Sequence, residues 1–168
     1  MTSCSDVARP ALIAAFITAA GPAVGACHPA TPIPAGDVLA TLTVSPLAPL
    51  KAFDPGSLRG APAVVLFLSP TCVHCLNELP SAQAVAAAEH AGIVAVFVAG
   101  NRASDHAFVQ QANFAGPALV DDGSLRVKYA VDHVPYALVL DAAGRATDAY
   151  IGERDADDLR AAISRARQ

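Results

Sequence analysis

Apolar runs and helically spaced segments alternate along the chain. The clearest run is Ala63–Leu68, bounded by Pro62 and Pro70. A continuous apolar run of this length between two helix-breaking residues predicts a fully buried strand. Ile93–Val98 has the same character and predicts a second buried strand. Between these two strands, the residues from about Cys72 to His90 predict a helix that is rich in alanine after its first turns.

The rest of the chain continues the alternation and predicts an α/β sandwich. Ser104 predicts the N-cap of a helix that runs to about Asn113, and Asp155 predicts the N-cap of a last helix that runs to about Arg167. The order of strand, helix, strand and helix, followed by a hairpin, predicts parallel first strands joined by right-handed crossovers and an antiparallel edge. The other predicted elements are a modest strand at about 38–44, a strand at 118–120, a helical turn near 124–129, and hairpin strands at 136–140 and 145–151 around the turn at 141–144.

Composition narrows the class of protein. The chain has 168 residues, of which 54% are hydrophobic and 15% are charged. This predicts one folded domain with a substantial core and excludes a disordered chain. The net charge of −4, without any cluster of lysines and arginines, argues against a nucleic-acid-binding protein. Gly-rich phosphate loops, HExxH and calcium-loop patterns are absent from the sequence.

The N-terminal residues differ from the rest and predict export. An apolar run at 11–20 is too short to span a bilayer as a stable helix but fits the core of a secretory signal at 1–26. The small residues Val24-Gly25-Ala26 before Cys27 form a pattern like that of a lipidation site, so a lipoprotein, a soluble secreted protein and an N-terminally anchored protein all stay open. A proline-rich spacer at 27–37 precedes the predicted domain at 38–168. Each alternative predicts that the domain lies in the periplasm or cell envelope.

The Cys72-Val73-His74-Cys75 tetrapeptide carries the main chemical signal. A CxxC motif that follows a buried strand and opens a helix predicts a redox-active disulfide and no other cofactor. Free N–H groups and the helix dipole at this end stabilise a thiolate on Cys72, the expected nucleophile, whereas Cys75 lies one turn further in and resolves the mixed disulfide. A protonated His74 would further stabilise the thiolate, which predicts an oxidising potential of about −200 mV or above.

Other cysteine chemistry fits this sequence less well. A structural zinc site usually needs four ligands, and neither a second CxxC nor an HxxxH motif is present. A c-type haem needs histidine directly after the second cysteine, where Leu76 stands. A structural disulfide stays open, as does a non-enzymatic metal carrier that uses the two thiolates and a nearby histidine. A peroxiredoxin-like thiol peroxidase also stays open, because Ser69 suits that chemistry, although Val65 occupies the place of the proline it needs.

The segment at 66–80, LFLSPTCVHCLNELP, resembles the active-site segment of the thioredoxin-like superfamily in its bacterial envelope branch, the TlpA/ResA-like proteins. Pro80 matches the helix proline of that superfamily, and Val134-Pro135 matches its cis-proline site. Within the branch, residues 66–72 and 134–141 are most similar to the MauD family of methylamine-utilisation proteins. The resemblance covers roughly residues 40–167. It implies a thioredoxin-like three-layer sandwich with a central mixed sheet, flanking helices and an antiparallel C-terminal hairpin.

The resemblance also implies roles for individual residues. It implies a thiol-disulfide oxidoreductase in which Glu78 accepts the proton of Cys75, and Val134 and Pro135 dock the client. Client protein thiols or disulfides and an envelope or membrane redox partner are the implied partners. The chain departs from cytosolic thioredoxins in having no tryptophan before Cys72 and in having Leu66 where they carry a buried acid. The direction of electron flow stays open, since His74 favours an oxidant and the ResA-like pattern favours a reductant.

Overall fold

The computed structural model of the chain describes residues 31–47 and 53–168. A six-stranded sheet in the order β1-β4-β3-β2-β5-β6 forms its centre. The strands are β1 (Ser45–Pro46), β2 (Ala63–Leu68), β3 (Gly92–Phe97), β4 (Ala118–Val120), β5 (Tyr136–Leu140) and β6 (Ala146–Ile151). The α-helices are α1 (Val73–Ala88), α2 (Arg102–Gln111), α3 (Ser124–Lys128) and α4 (Ala156–Arg165), and two 3₁₀ helices span Leu39–Thr41 and Pro55–Leu58.

The sheet is mixed, as the sequence predicts. β2 and β3 pair in parallel, and β3 and β4 do the same. β5 pairs antiparallel with β2 and then turns back into β6, so the hairpin completes one side of the sheet. β2 therefore lies between a parallel and an antiparallel neighbour, and all six of its residues are buried. The predicted α/β sandwich with an antiparallel C-terminal hairpin is confirmed.

Two hydrophobic clusters, one on each face of the sheet, give the fold three layers. Alternate residues of β2 point to opposite faces, so Leu66 and Leu68 belong to one cluster and Val65 and Phe67 to the other. The first cluster is covered by α1, α2 and α4, and the second by α3 and the 3₁₀ helix at Leu39–Thr41. Because α1 follows β2 directly, this packing fixes the first turn of α1 at the carboxyl end of the central strand.

The strand predicted at about 38–44 is wrong. Residues Leu39–Thr41 form a 3₁₀ helix, and the first strand, β1, begins only at Ser45. Leu39 and Leu42 are fully or almost fully buried in the second cluster, and the Thr41 hydroxyl bonds to the Tyr129 hydroxyl at 2.6 Å. A spacing of three residues between buried leucines suits a helical turn, and the Asp37 side chain accepts the N–H of Ala40 to stabilise it.

The start of α2 also differs from the prediction. Asn101, rather than Ser104, is the N-cap residue, and its side chain accepts the N–H groups of Ala103 and Ser104. Ser104 is the third helical residue, and its hydroxyl bonds back to the N–H of Asn101. The two residues form a capping box, in which asparagine replaces the more usual serine or threonine.

The predicted signal at 1–26 and the lipidation candidate Cys27 lie outside the described residues. No helix in the part of the chain that the structure describes combines the length and the apolar character that a membrane crossing requires.

Candidate active site

Cys72 lies at the N-terminus of α1 and serves as its N-cap residue. Its sulfur accepts the backbone N–H of Cys75 at 3.2 Å, while its own N–H donates to the Ser69 carbonyl. Cys72 is partly exposed and Cys75 is fully buried, and both are free thiols in the structure. Because Cys72 is the more exposed of the two, it is the sulfur that can meet a partner in solution, and the N–H aimed at it stabilises negative charge there.

Cys75 is held in its protonated state. Burial raises the pKa of the Cys75 thiol, the neighbouring sulfur of Cys72 raises it further, and the charge of Glu78 adds to the effect. The buried thiol must therefore lose a proton before it can attack a disulfide, since the thiolate is the nucleophile.

Val134 lies against Cys72 and is followed by Pro135. The Cys72 thiol donates to the Val134 carbonyl at 3.6 Å, and the Val134–Pro135 peptide bond is cis. The ladder between β2 and β5 begins only at Tyr136, so the peptide groups of Val134 lie outside it. The loop before β5 thus brings a half-buried stretch of backbone next to Cys72.

Glu78 is buried on α1, with only 2% of its surface exposed. One carboxylate oxygen accepts the hydroxyl of Tyr150 at 3.1 Å, and the other accepts the backbone N–H of Arg154 at 2.9 Å. Burial raises the pKa of Glu78, the charge of Glu153 raises it further, and the two hydrogen bonds oppose the rise. A solvated glutamate on the helix surface is therefore excluded.

Tyr150 and Arg154 complete the surroundings of Glu78 from the far end of the chain. The Arg154 guanidinium lies over the Tyr150 ring, 4.2 Å from its centre. Burial, together with the charge of Glu78, raises the pKa of Tyr150, which keeps its hydroxyl available as a donor. Sequence reasoning missed both residues, because nothing in the local pattern of β6 indicates which side chains reach α1.

His74 is exposed and pairs with Glu153 rather than with a sulfur. Its Nδ1 lies 2.5 Å from a Glu153 oxygen, and the Asn77 amide donates to the same oxygen at 3.3 Å. The hydrogen bond from His74 holds the pKa of Glu153 below its ordinary value. The sequence pointed to His74 but not to Glu153, which lies 79 residues further along.

A cavity of about 280 Å³ lies at the carboxyl ends of β3 and β4 and is lined by Asp105. Asp105 is 1% exposed, and within the described residues neither of its oxygens has a hydrogen-bond partner. Burial raises its pKa to about 6, which the charge of Arg102 partly opposes. A Cβ atom on Gly100 would lie 2.6 Å from an Asp105 oxygen and 2.5 Å from the Pro70 ring, so the carboxyl group packs close to the loop before Cys72.

Residues 31–47 and 53–168 gather no group of three or more His, Cys, Asp or Glu side chains suited to holding a metal ion. The predicted site residues Cys72, Cys75 and Val134 are brought together. Glu78 contacts the β6 end of the hairpin, and His74 turns to Glu153.

Comparison with known proteins points to one class. No family model matches the chain. Methylamine utilization protein MauD of Methylobacillus flagellatus is 27% identical over 136 residues, which cover 81% of this chain and 61% of that protein. The chain therefore spans less than two thirds of the length of this curated relative.

Solved structures agree with the sequence comparison. A secreted Mycobacterium tuberculosis disulfide oxidoreductase homologous to E. coli DsbE is 29% identical, with a TM-score of 0.62, and the match covers 73% of this chain and 93% of that one. MTB dsbF, solved in its mixed oxidized and reduced forms, is 27% identical, with a TM-score of 0.65 and coverages of 74% and 93%.

The fold and the cysteine pair define a thioredoxin-like protein. Within that class the chain is similar in sequence to MauD and in structure to the secreted DsbE homologue.

Proposed function

We propose that the protein is a thiol-disulfide oxidoreductase that exchanges disulfides with client proteins through Cys72 and Cys75. The observation that carries the proposal is the contrast between the two sulfurs. Cys72 is partly exposed and accepts a backbone N–H at the helix start, whereas Cys75 is buried directly behind it. The disulfide oxidoreductases among the similar structures support the same activity.

The chemistry balances without a further cofactor. The Cys72 thiolate attacks one sulfur of a client disulfide, a mixed disulfide forms, and the other client sulfur leaves as a thiolate that takes up a proton. Cys75 loses its proton and attacks Cys72, which releases the second client thiolate and closes the Cys72–Cys75 disulfide. The client gains two electrons and the protein loses two. The same steps in reverse oxidise a client dithiol.

Glu78 accepts the proton of Cys75 in this proposal. Burial raises the pKa of the carboxyl group, which brings it closer to the value that a proton acceptor needs near neutral pH. Tyr150 and Arg154 hold the carboxylate by one hydrogen bond to each oxygen, which leaves further lone pairs free.

Val134 and Pro135 dock the client in this proposal. The Val134 backbone lies beside Cys72 and outside the strand ladder, so an extended client segment can pair with it while its sulfur meets Cys72. The exposed Val73, at 65% exposure, adds an apolar contact next to the reactive sulfur.

We place the activity in the cell envelope. The secretory pattern at 1–26 supports this location, and the M. tuberculosis homologue is described as secreted. Lipidation of Cys27 would tether the domain to a membrane, and mass analysis of the membrane-extracted protein tests it through the mass of the acylated N-terminus.

Thiol mapping tests the proposed activity. The full-length protein is equilibrated in glutathione buffers, quenched with a maleimide and mapped by peptide mass, which distinguishes the site cysteines from Cys4 and Cys27. We expect Cys72 and Cys75 to protect each other in oxidising buffers. We also expect Cys75→Ser to accumulate a mixed disulfide through Cys72, and Cys72→Ser to form none. A pair that stays reduced in every buffer would overturn the proposal.

A Glu78→Gln variant tests the proton acceptor by the sign of its effect. If Glu78 takes the proton, the variant slows closure of the Cys72–Cys75 disulfide at neutral pH. If the carboxylate acted only through its charge, the variant would speed closure, because that charge raises the pKa of the Cys75 thiol. Stopped-flow kinetics of mixed-disulfide resolution separates the two results.

A further inference from the structure

The end of β6 and the segment that follows it contact the first turns of α1 through four hydrogen bonds. Tyr150 and Arg154 donate to the buried Glu78, and Glu153 bonds with the exposed His74 and Asn77. The segment between the hairpin and α4 therefore contacts the helix that carries the cysteine pair on both its buried and its exposed sides.

His74 is the titratable group that lies between the two cysteines in sequence. A protonated imidazole there would favour the Cys72 thiolate and so the reduced form of the pair. Glu153, however, places a carboxylate 2.5 Å from Nδ1 of that imidazole. The resulting ion pair carries no net charge, so its effect on a nearby thiolate is weaker than that of a lone imidazolium.

The charge of Glu153 also acts on the buried part of the site. It raises the pKa of the buried Glu78, whereas the neighbouring Arg154 lowers it. Among the described residues, the titratable or charged groups of this network are thus Glu153 and His74 on the exposed side and Glu78 and Arg154 on the inner side.

We propose that Glu153 is a positioning residue that sets the redox potential of the Cys72–Cys75 pair by holding and neutralising His74. This inference rests on the proposed disulfide exchange. When the disulfide takes up two electrons, its S–S bond breaks, the buried Cys75 sulfur takes up a proton from water, and Cys72 is the sulfur on which negative charge can remain. The Glu153 carboxylate disfavours negative charge on Cys72, partly by direct repulsion and partly by offsetting the positive charge of a protonated His74. The protein is thereby a weaker oxidant than a CVHC sequence with an unpaired histidine.

The test is a glutathione redox titration of the full-length protein at pH 6, 7 and 8, at low and high salt. Glu153→Gln keeps the shape of the side chain and its hydrogen bonding but removes the charge. We expect the equilibrium constant for reduction of the pair to rise about 2- to 10-fold at low salt. The increase should be smaller at high salt, because salt screens charges at the exposed side of the site.

Further variants separate charge from structure. Glu153→Asp keeps the charge, so its equilibrium constant for reduction of the pair should stay within about 2-fold of the wild-type value. His74→Gln leaves the carboxylate without its partner and should lower the constant. Glu153→Gln should still raise the constant in that background, because the carboxylate also acts on the thiolate directly. Asp157→Asn removes one negative charge from the first turn of α4 and serves as the matched control, with no expected change.

The outcomes also distinguish the two proposals. A Glu153→Gln variant with the same potential as the wild type at all three pH values, or a His74→Gln variant that leaves the constant unchanged, would overturn the role of Glu153 while the pair still cycles. A wild-type pair that forms no disulfide in any buffer would overturn the proposed function itself.

Discussion

Replacing Asp105 by asparagine should stabilise the protein above neutral pH. The carboxyl group is 1% exposed, and its oxygens have no hydrogen-bond partner within the described residues. Burying a charged group without a partner costs free energy, so ionisation of Asp105 opposes folding. Asparagine has nearly the same shape and cannot ionise.

The size and the pH dependence of the effect follow from the pKa. Burial raises the pKa of Asp105 from 3.8 to about 6, so the folded state holds its proton more tightly than the unfolded state. Stability is then lost as the pH rises from about 4 to about 6, and the full cost is present above that range. At about 1.4 kcal/mol per pH unit the upper bound is about 3 kcal/mol. We expect Asp105→Asn to gain about 1–3 kcal/mol at pH 8 and less than about 0.5 kcal/mol at pH 3.5.

Urea unfolding of the reduced protein at pH 3.5, 5 and 8 measures the gain. Equal m-values for the two proteins show that the same transition is compared. Asp122→Asn is the matched control, with an expected effect of opposite sign. Hydrogen bonds from Ser124 hold the pKa of Asp122 below its ordinary value. The Asp122→Asn variant should therefore lose stability at pH 8. An Asp105→Asn variant that is less stable than the wild type at pH 8 would refute the reasoning.

Three further predictions concern the core, a helix cap and the active-site network. Phe97→Ala should lower the free energy of unfolding by about 3–5 kcal/mol, since the Phe97 ring is 1% exposed and meets the Phe108 ring edge-on, with 5.6 Å between the ring centres. Unfolding in urea measures the loss, and a loss below about 1 kcal/mol would contradict the prediction. Asn101→Ala should cost about 1 kcal/mol by removing the cap of α2, and Asn101→Asp should restore it, as thermal unfolding would show; equal melting temperatures for all three proteins would argue against the cap. Tyr150→Phe should raise the pKa of Glu78 further, because it removes a hydrogen-bond donor to the carboxylate. NMR titration of the Glu78 carboxyl carbon checks the direction, and an unchanged or lower pKa would show that the Tyr150 hydrogen bond does not lower it.

The local pattern predicted the central elements well. The bounds of β2, β4 and β5 match those predicted from the apolar runs, and Asp155 caps α4 as expected. Buried strands in the middle of a sheet are apolar on both faces, so their sequences carry a clear signal of their own. The segment at 38–44 failed because its buried leucines also fit a 3₁₀ turn, and only packing against the second cluster selects that turn.

Sequence alone determined the type of fold and the position of the cysteine pair at a helix start, because strand period, helix caps and CxxC spacing are properties of neighbouring residues. The tertiary structure decided which distant groups face that pair. Tyr150, Glu153 and Arg154 reach α1 because β6 lies beside β5 and the chain then crosses to α4. Asp105 is buried because α2 packs over the end of β3. The charges that surround the two sulfurs therefore depend on long-range packing, which no local pattern encodes.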